Sequence, residues 1–367
     1  MKIVLFGLTV SSSWGNGHAT LWRGMFRALA QRGCHIVFFE KDVPYYAATR
    51  DLYEIEDGKL IFYRHWEEAR DRAVAEVSDA DVAMITSYCP DGIAATDTVL
   101  AAPHALRVFY DLDTPVTLAR LQTGETLSYI GPAGLRDFDL VLSFTGGDAL
   151  TQLEQRLGAR RAVPLYGHVD PRVHRRIERV PQYCADLSYL GTYSQDRQAA
   201  LEALFIEPSG RSPHRRFVIG GAQYPEGFPW AQNIYFVRHL PPDEHPAFFS
   251  SSRLTLNVTR EPMAALGWCP SGRLFEAAAC GTAMLSDWWP GLEEFFIPGE
   301  EILIARNASD TLDALMLSDA ELARIGARGR ERILEEHTSE RRAADLLAAV
   351  SIGRGSDRAD ARPMMEI

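Results

Sequence analysis

Short, almost wholly apolar runs recur along the first half of the chain, spaced by longer stretches with a helical repeat. Residues 3–8, 35–39, 82–86, 106–110 and 139–143 lack the alternation of a half-exposed strand and read as strands covered on both faces of a parallel sheet. Between them, 19–31 sets Leu21, Met25, Ala28 and Leu29 on one helical face, and 66–77 and 148–157 behave likewise. This rhythm predicts a doubly wound α/β domain. It breaks over 167–185, where Gly-His-Val-Asp-Pro and Val-Pro-Gln-Tyr-Cys read as an interdomain linker. A second series follows, with strands expected at 187–190, 217–220, 234–237, 254–258 and 282–285 and helices at 195–205, 242–250 and 273–280. Helical patterns at 320–335 and 339–350 come last. The expected domains are 1–170 and 185–337, with a helix near 338–352 and a mobile Gly/Arg/Asp/Ala-rich tail over 353–367. A length of 367 residues suits two cores better than one.

Composition narrows the function. The net charge of −11 argues against a nucleic-acid surface. No apolar run approaches the ~20 residues of a membrane span, which leaves at most peripheral membrane contact. The N-terminal Met-Lys-Ile-Val-Leu-Phe-Gly-Leu reads as a first strand, not a signal peptide. The cysteines are odd in number, scattered and never in a CxxC pair, as expected of small buried residues in a reducing cytoplasm. The lysines are Lys2, Lys41 and Lys59 alone, so there is neither a P-loop nor a second-half lysine to carry pyridoxal phosphate.

The densest chemistry lies in Cys269-Pro-Ser-Gly-Arg-Leu-Phe-Glu-Ala-Ala-Ala-Cys-Gly281. Ser271 is placed to cap a helix that Gly272 enters, with Leu274, Phe275 and Ala278 on its apolar face and Gly281 at its end. The free N–H groups of that N-terminus can hold an anion such as a diphosphate, and Arg273 can add charge-assisted bonds. Glu276 shares a face with Arg273 and can accept from ribose hydroxyls. In the first half, Gly15, Asn16 and Gly17 form a loop after the first strand and lead to His18 at a helix start. His18 has an ordinary pKa suited to a general base near neutrality; the competing reading is a helix cap or an acceptor contact. Asp111 ends a strand, where it would position an acceptor, orient His18 or act as base; Asp113 reads as the cap of the helix that Pro115 starts. Thr145-Gly-Gly-Asp148 reads as a structural turn. Gly191 and Thr192 follow the first strand of the second series and offer an N–H and a hydroxyl to a diphosphate. Gly220, His239 and Arg260 stand at or after further strand ends, Arg260 within reach of phosphates.

The segment around Ser271, Arg273 and Glu276 resembles the donor-sugar signature of glycosyltransferases with the GT-B fold. It is most similar to a spore-maturation, CgeB-like branch of the group 1 glycosyl transferases, which implies a bacterial protein. Gly15–His18 followed by Arg-Ala-Leu-Ala-Gln-Arg-Gly-Cys-His-Ile-Val extends the likeness into the first half. The resemblance implies two Rossmann-like doubly wound domains facing a central cleft, an N-terminal acceptor domain and a C-terminal donor domain, with the helix at 338–352 crossing back to the former. It implies transfer of a sugar from a UDP-, dTDP- or GDP-linked donor to a glycan, natural-product or other hydroxyl acceptor, with no obligatory cofactor and no metal. Gly220 would lie at the base-binding edge, and His239 where relatives contact the nucleotide. Two departures stand out. Trp268 occupies the position eight before Glu276 where many retaining relatives carry an acid, and no lysine joins Arg273, so the stereochemistry stays open between inverting and retaining. A nucleotide-sugar 2-epimerase or hydrolase and a non-catalytic nucleotide-sugar binder are the alternatives. The acceptor, the sugar and the oligomeric state are not readable. Trp14, Trp22, Tyr45, Tyr46 and Trp66 suit a ring-bearing acceptor, or serve as core.

Overall fold

The computed structural model describes residues 1–102 and 104–360, which form two compact units. The first comprises Met1–Tyr166 and Glu340–Ile367, the second Gly167–Ser339. Unit 1 is built on strands β1 (Lys2–Gly7), β2 (His35–Lys41), β3 (Gly58–Tyr63), β4 (Val82–Thr86), β5 (Leu106–Asp111), β6 (Leu140–Ser143) and β7 (Ala162–Pro164). All pairings are parallel, in the order β3-β2-β1-β4-β5-β6-β7. The chain therefore reverses its direction of winding between β1 and β4, and the crevice beyond the strand ends at such a point is where this architecture takes ligands.

Alternate residues of each strand supply the two covered faces. Phe6 stacks on Phe39 at 4.7 Å on one face, above the helix Trp66–Ser78 through Trp66. On the other, Phe38 and Tyr110 meet Phe26 and Trp22 of the helix Gly17–Ala30. Trp22 is thus core, whereas Tyr45 is exposed and Trp66 packs against the core from its margin.

Unit 2 repeats the plan with β8 (Ala185–Leu190), β9 (Phe217–Gly221), β10 (Ile234–Arg238), β11 (Ser252–Asn257), β12 (Ala283–Ser286) and β13 (Leu303–Ile304), in the parallel order β10-β9-β8-β11-β12-β13. Its switch point lies between β8 and β11. Leu187, Tyr189, Phe217, Ile219, Leu254, Leu256 and Leu285 form one core with Leu204 and Phe205.

The strands without a sequence signal, β3, β7 and β13, all sit toward sheet edges. There, a partly exposed pattern or a length of two or three residues leaves no apolar run to find. The helix expected at 195–205 continues to Arg211 through a π-helical turn at Glu202–Ile206. The final helix spans Ser339–Asp360, so the segment expected to be a mobile tail from 353 begins as helix; residues 361–367 lie outside the described residues. Among the described residues no helix is long and apolar enough to cross a membrane.

Candidate functional site

In unit 2 the polar residues gather at the carboxyl ends of β8, β9, β11 and β12. Ser271 caps the helix Gly272–Ala279, its hydroxyl accepting from the Arg273 N–H at 3.4 Å. The chain turns out of this helix at Gly281, whose φ of +72° suits glycine. A Cβ placed on Gly272 would meet nothing within 4 Å. The approach to the helix end is therefore open.

Arg273 turns back from this helix to the end of β8. Its guanidinium lies 5.5 Å from the Tyr189 ring centroid, and Nη1 donates to Asn257 Oδ1 at 3.4 Å. A Cβ on Gly191 would fall 3.2 Å from Arg273 Nη2 and 2.7 Å from the Tyr189 hydroxyl, so only glycine leaves this corner uncrowded. Among the described residues no carboxylate lies within ion-pair distance of Arg273, and burial lowers its pKa. The Tyr189 hydroxyl beside it is also buried without a hydrogen-bond partner. A desolvated cation and an unsatisfied hydroxyl at one strand end are costly unless an anion completes them.

The other sequence candidates on this unit fall around the same edge. Gly191 N–H donates to Gly220 O at 2.8 Å. Gly221 lies so close to this strand that a Cβ there would meet Gly191 O at 2.0 Å. His239, with φ of +51°, is tied by its N–H to Gly221 O. The exposed Thr192 gives its carbonyl to Arg197 Nη1 at 3.3 Å. Arg260, expected to reach phosphates, instead binds Asp196 at 2.9 Å. Arg197, which the sequence did not single out, lies near Arg273 with a buried Nε that has no partner. No motif marks it, because it enters on the irregular 3₁₀ turn Gln195–Arg197.

Glu276, one turn along from Arg273, faces two imidazoles. His174 Nε2 is 3.9 Å from Oε1, and His245 Nδ1 is 3.8 Å from Oε2. Burial alone would raise the Glu276 carboxyl; the facing imidazoles and the Arg273 guanidinium outweigh it and hold the carboxyl below the usual range. Burial lowers the His174 pKa against the pull of Glu276. Neither histidine was anticipated. His174 comes from the stretch read as linker, and His245 opens a helix to which no function was assigned.

Trp268 occupies the place where an acid was sought. Its indole lies against Gly291 and donates to Glu294 Oε1 at 2.6 Å.

In unit 1 the loop after β1 is pinned from below. The fully buried Glu40 carboxylate accepts from Thr9 Oγ1 at 2.8 Å and from the N–H groups of Val10 and Ser11 at 2.7 and 3.0 Å. Gly15 then takes a φ of +60°, and Asn16 caps the helix Gly17–Ala30 by accepting from His18 N–H at 3.1 Å. His18 is therefore not the cap. Its Nδ1 is buried without a partner, and burial lowers its pKa while the nearby Asp113 opposes the shift. Above it stands Tyr88, ring centroids 5.8 Å apart, in a left-handed backbone conformation with φ of +64°. The Tyr88 hydroxyl donates to Asp113 Oδ2 at 2.9 Å. Asp113, expected to cap the next helix, sits at the N-cap position but makes no capping bond with its side chain. Asp111 is fully buried, accepting from Asp113 N–H and Thr117 Oγ1, each at 3.1 Å, and burial raises its pKa to about 7. Gly146 is held in a structural turn under Tyr166.

With this geometry in place, the comparisons are informative. Residues 197–348 match the family model described as "Glycosyl transferase-like". No curated protein matches the chain. Among solved structures, a sucrose-phosphate synthase from Thermosynechococcus elongatus is 14% identical, with a TM-score of 0.67 over 98% of this chain and 99% of that one. HepE of Anabaena, in complex with UDP and glucose, is 12% identical, with a TM-score of 0.64 over 96% and 100%. An alpha-glucosyltransferase in complex with UDP-glucose and DNA is 13% identical, with a TM-score of 0.69 over 96% and 99%. At such identities the likeness to these structures speaks for the fold. The family match speaks for the unit that carries Ser271, Arg273 and Glu276, and the fold of the whole chain is that of the GT-B structures it resembles.

Proposed function

We propose that the chain transfers a sugar from UDP-sugar to a hydroxyl acceptor without an obligatory metal. The observation that carries this reading is Arg273: a half-buried guanidinium with no carboxylate partner, set where the helix start after Ser271 and the backbone of Gly191 converge. A diphosphate there would satisfy the cation, and the helix end and arginine would stabilise the departing UDP as its charge develops. Glu276, held ionised, accepts from the ribose hydroxyls. Gly220 and His239 flank the base, Thr192 adds a hydroxyl near the phosphates, and Arg260, through Asp196, steadies the loop that carries Arg197. UDP is preferred over dTDP and GDP because HepE and the alpha-glucosyltransferase were each solved with it.

On unit 1, the neutral His18 takes the acceptor proton. The Asn16 cap fixes its position at the helix start, with Gly15 and Gly17 giving the acceptor room. Asp111 holds the turn that presents Asp113, which faces Tyr88 and raises the basicity of His18. This arrangement suits direct, inverting displacement. The acceptor is a glycan or another hydroxyl compound, not nucleic acid, in line with the net charge of −11. Five free, scattered cysteines support a cytoplasmic setting for this reaction.

A thermal-shift panel of UDP-, dTDP- and GDP-sugars on the wild type and Glu276→Ala tests the donor half. Stabilisation by the UDP series alone, absent in the variant, is the expected result. Equal shifts in both proteins, or none with any donor, would overturn it.

A further inference from the structure

His174, His245 and Glu276 come from three separate segments, yet their ligating atoms lie within 4.8 Å of one another. Both nitrogens of His174 are buried and lack a hydrogen-bond partner, in a residue only 2% exposed. Native structures rarely leave a buried imidazole unsatisfied at both ends. The contacts to Glu276, 3.9 Å from His174 and 3.8 Å from His245, are too long for hydrogen bonds. They run to different carboxylate oxygens, and with one atom from each residue the three lie within 4.8 Å, within reach of a shared ion bound at about 2.0–2.2 Å to each once the side chains close in. The donor set is two imidazole nitrogens and one carboxylate oxygen, the set taken by zinc-class divalent ions when a further position stays open. His245 and Glu276 keep partly exposed side chains, which gives an ion a way in.

We propose that His174, His245 and Glu276 form a binding site for a zinc-class divalent transition-metal ion, and that the ion competes with the nucleotide for Glu276. The ion draws the three ligands inward by up to about an ångström and satisfies one ring nitrogen of His174. A carboxylate committed to the ion no longer accepts from ribose hydroxyls, so metal binding inhibits the transferase instead of supporting it. The competition rests on the ribose role proposed for Glu276; the binding of the ion does not.

Metal-stripped full-length protein titrated with Co²⁺ and Zn²⁺ provides the test. The expected result is one equivalent bound, with a visible d–d band from Co²⁺ that Zn²⁺ displaces. Both signals should be lost in His245→Gln and Glu276→Gln, each weakening the ion by roughly a hundredfold or more, and retained in a control at the remote His214. His245 and Glu276 are partly exposed, so these variants keep the test open if His174→Asn does not fold. Failure of either ion to bind at micromolar concentration, or binding that survives both variants, overturns the site and leaves an ordered water between the rings. A second titration, of UDP at Zn²⁺ a hundredfold above its dissociation constant, should raise the apparent Kd of UDP roughly a hundredfold. An ion that binds through these residues without weakening UDP refutes the ribose role of Glu276 while the metal site stands. Glu276-dependent UDP binding in a protein that takes no ion refutes the metal site alone.

Discussion

Replacing Arg273 by methionine separates a binding cation from a structural one. The guanidinium is half-buried, its pKa lowered by desolvation, and its contacts are a 3.4 Å hydrogen bond to Asn257 and the face of Tyr189. Those contacts offset only part of its desolvation, which in proteins amounts to several kcal/mol per ion. Methionine fills similar volume without that cost, so the ligand-free variant should melt at or above the wild-type temperature. UDP binding should move the other way. A charge-assisted hydrogen bond contributes about 1.5–3 kcal/mol, and a diphosphate at about 4 Å in a medium of effective dielectric near 20 interacts with the cation by about 4 kcal/mol before desolvation. The dissociation constant of UDP should therefore rise roughly 10- to 150-fold. Calorimetric titration gives that constant and differential scanning calorimetry the melting temperature. A variant that melts several degrees lower yet binds UDP as before would show that Arg273 holds the fold, and would remove the observation on which the donor site rests.

Further outcomes follow from unit 1 and from the strand ends. His18→Ala should lower kcat by roughly 10²–10⁴-fold and leave UDP binding unchanged, and the acid limb of the wild-type pH–rate profile should lie below pH 6.5 because burial lowers the pKa of His18; a limb above that value contradicts the assignment. Asp111→Asn should stabilise the protein in alkali. The folded pKa of about 7 lies above the ordinary 3.8, so the bound proton contributes stability that is complete below pH 3.8 and lost as pH rises through about 7. At pH 8 the gain is at most roughly 4 kcal/mol and at pH 4 near zero; chemical denaturation at the two pH values reads it, and equal effects at both refute it. Gly221→Ala puts a Cβ 2.0 Å from Gly191 O and should cost about 1–3 kcal/mol in denaturant titration, with weaker UDP binding because Gly191 must shift.

Much of the fold was legible because parallel strands covered on both faces write continuous apolar runs. β1, β2, β4, β5, β8, β9 and β11 are of this kind, and each lies where its run placed it. β3 was silent because its burial alternates and Gly58 and Lys59 open it. The break at 167–185 begins where the second unit begins, but its residues were read as linker when they belong to that unit and His174 is the most buried histidine among the described residues. A histidine in a Pro- and Arg-rich stretch carries no periodicity, so only tertiary structure brings it under Glu276.

The site divides along the same line. Ser271 and Asn16 were readable as cap positions because capping is a local hydrogen bond between residues two or three apart, and Ser271 was assigned that way; His18 stayed ambiguous until Asn16 took the cap. Asp113 was misread for the complementary reason. It occupies the N-cap position, but the Tyr88 hydroxyl, 25 residues away in sequence and held at φ +64°, claims its carboxylate. Arg260 and Arg273 illustrate the limit most sharply. Both are arginines just beyond a strand or at a helix start, and apart from the resemblance around Arg273 nothing local ranks them. Folding gives Arg260 a carboxylate from the 195–197 turn and leaves Arg273 half-buried without one. Which arginine is paired is thus a property of the whole unit that neither stretch of sequence records.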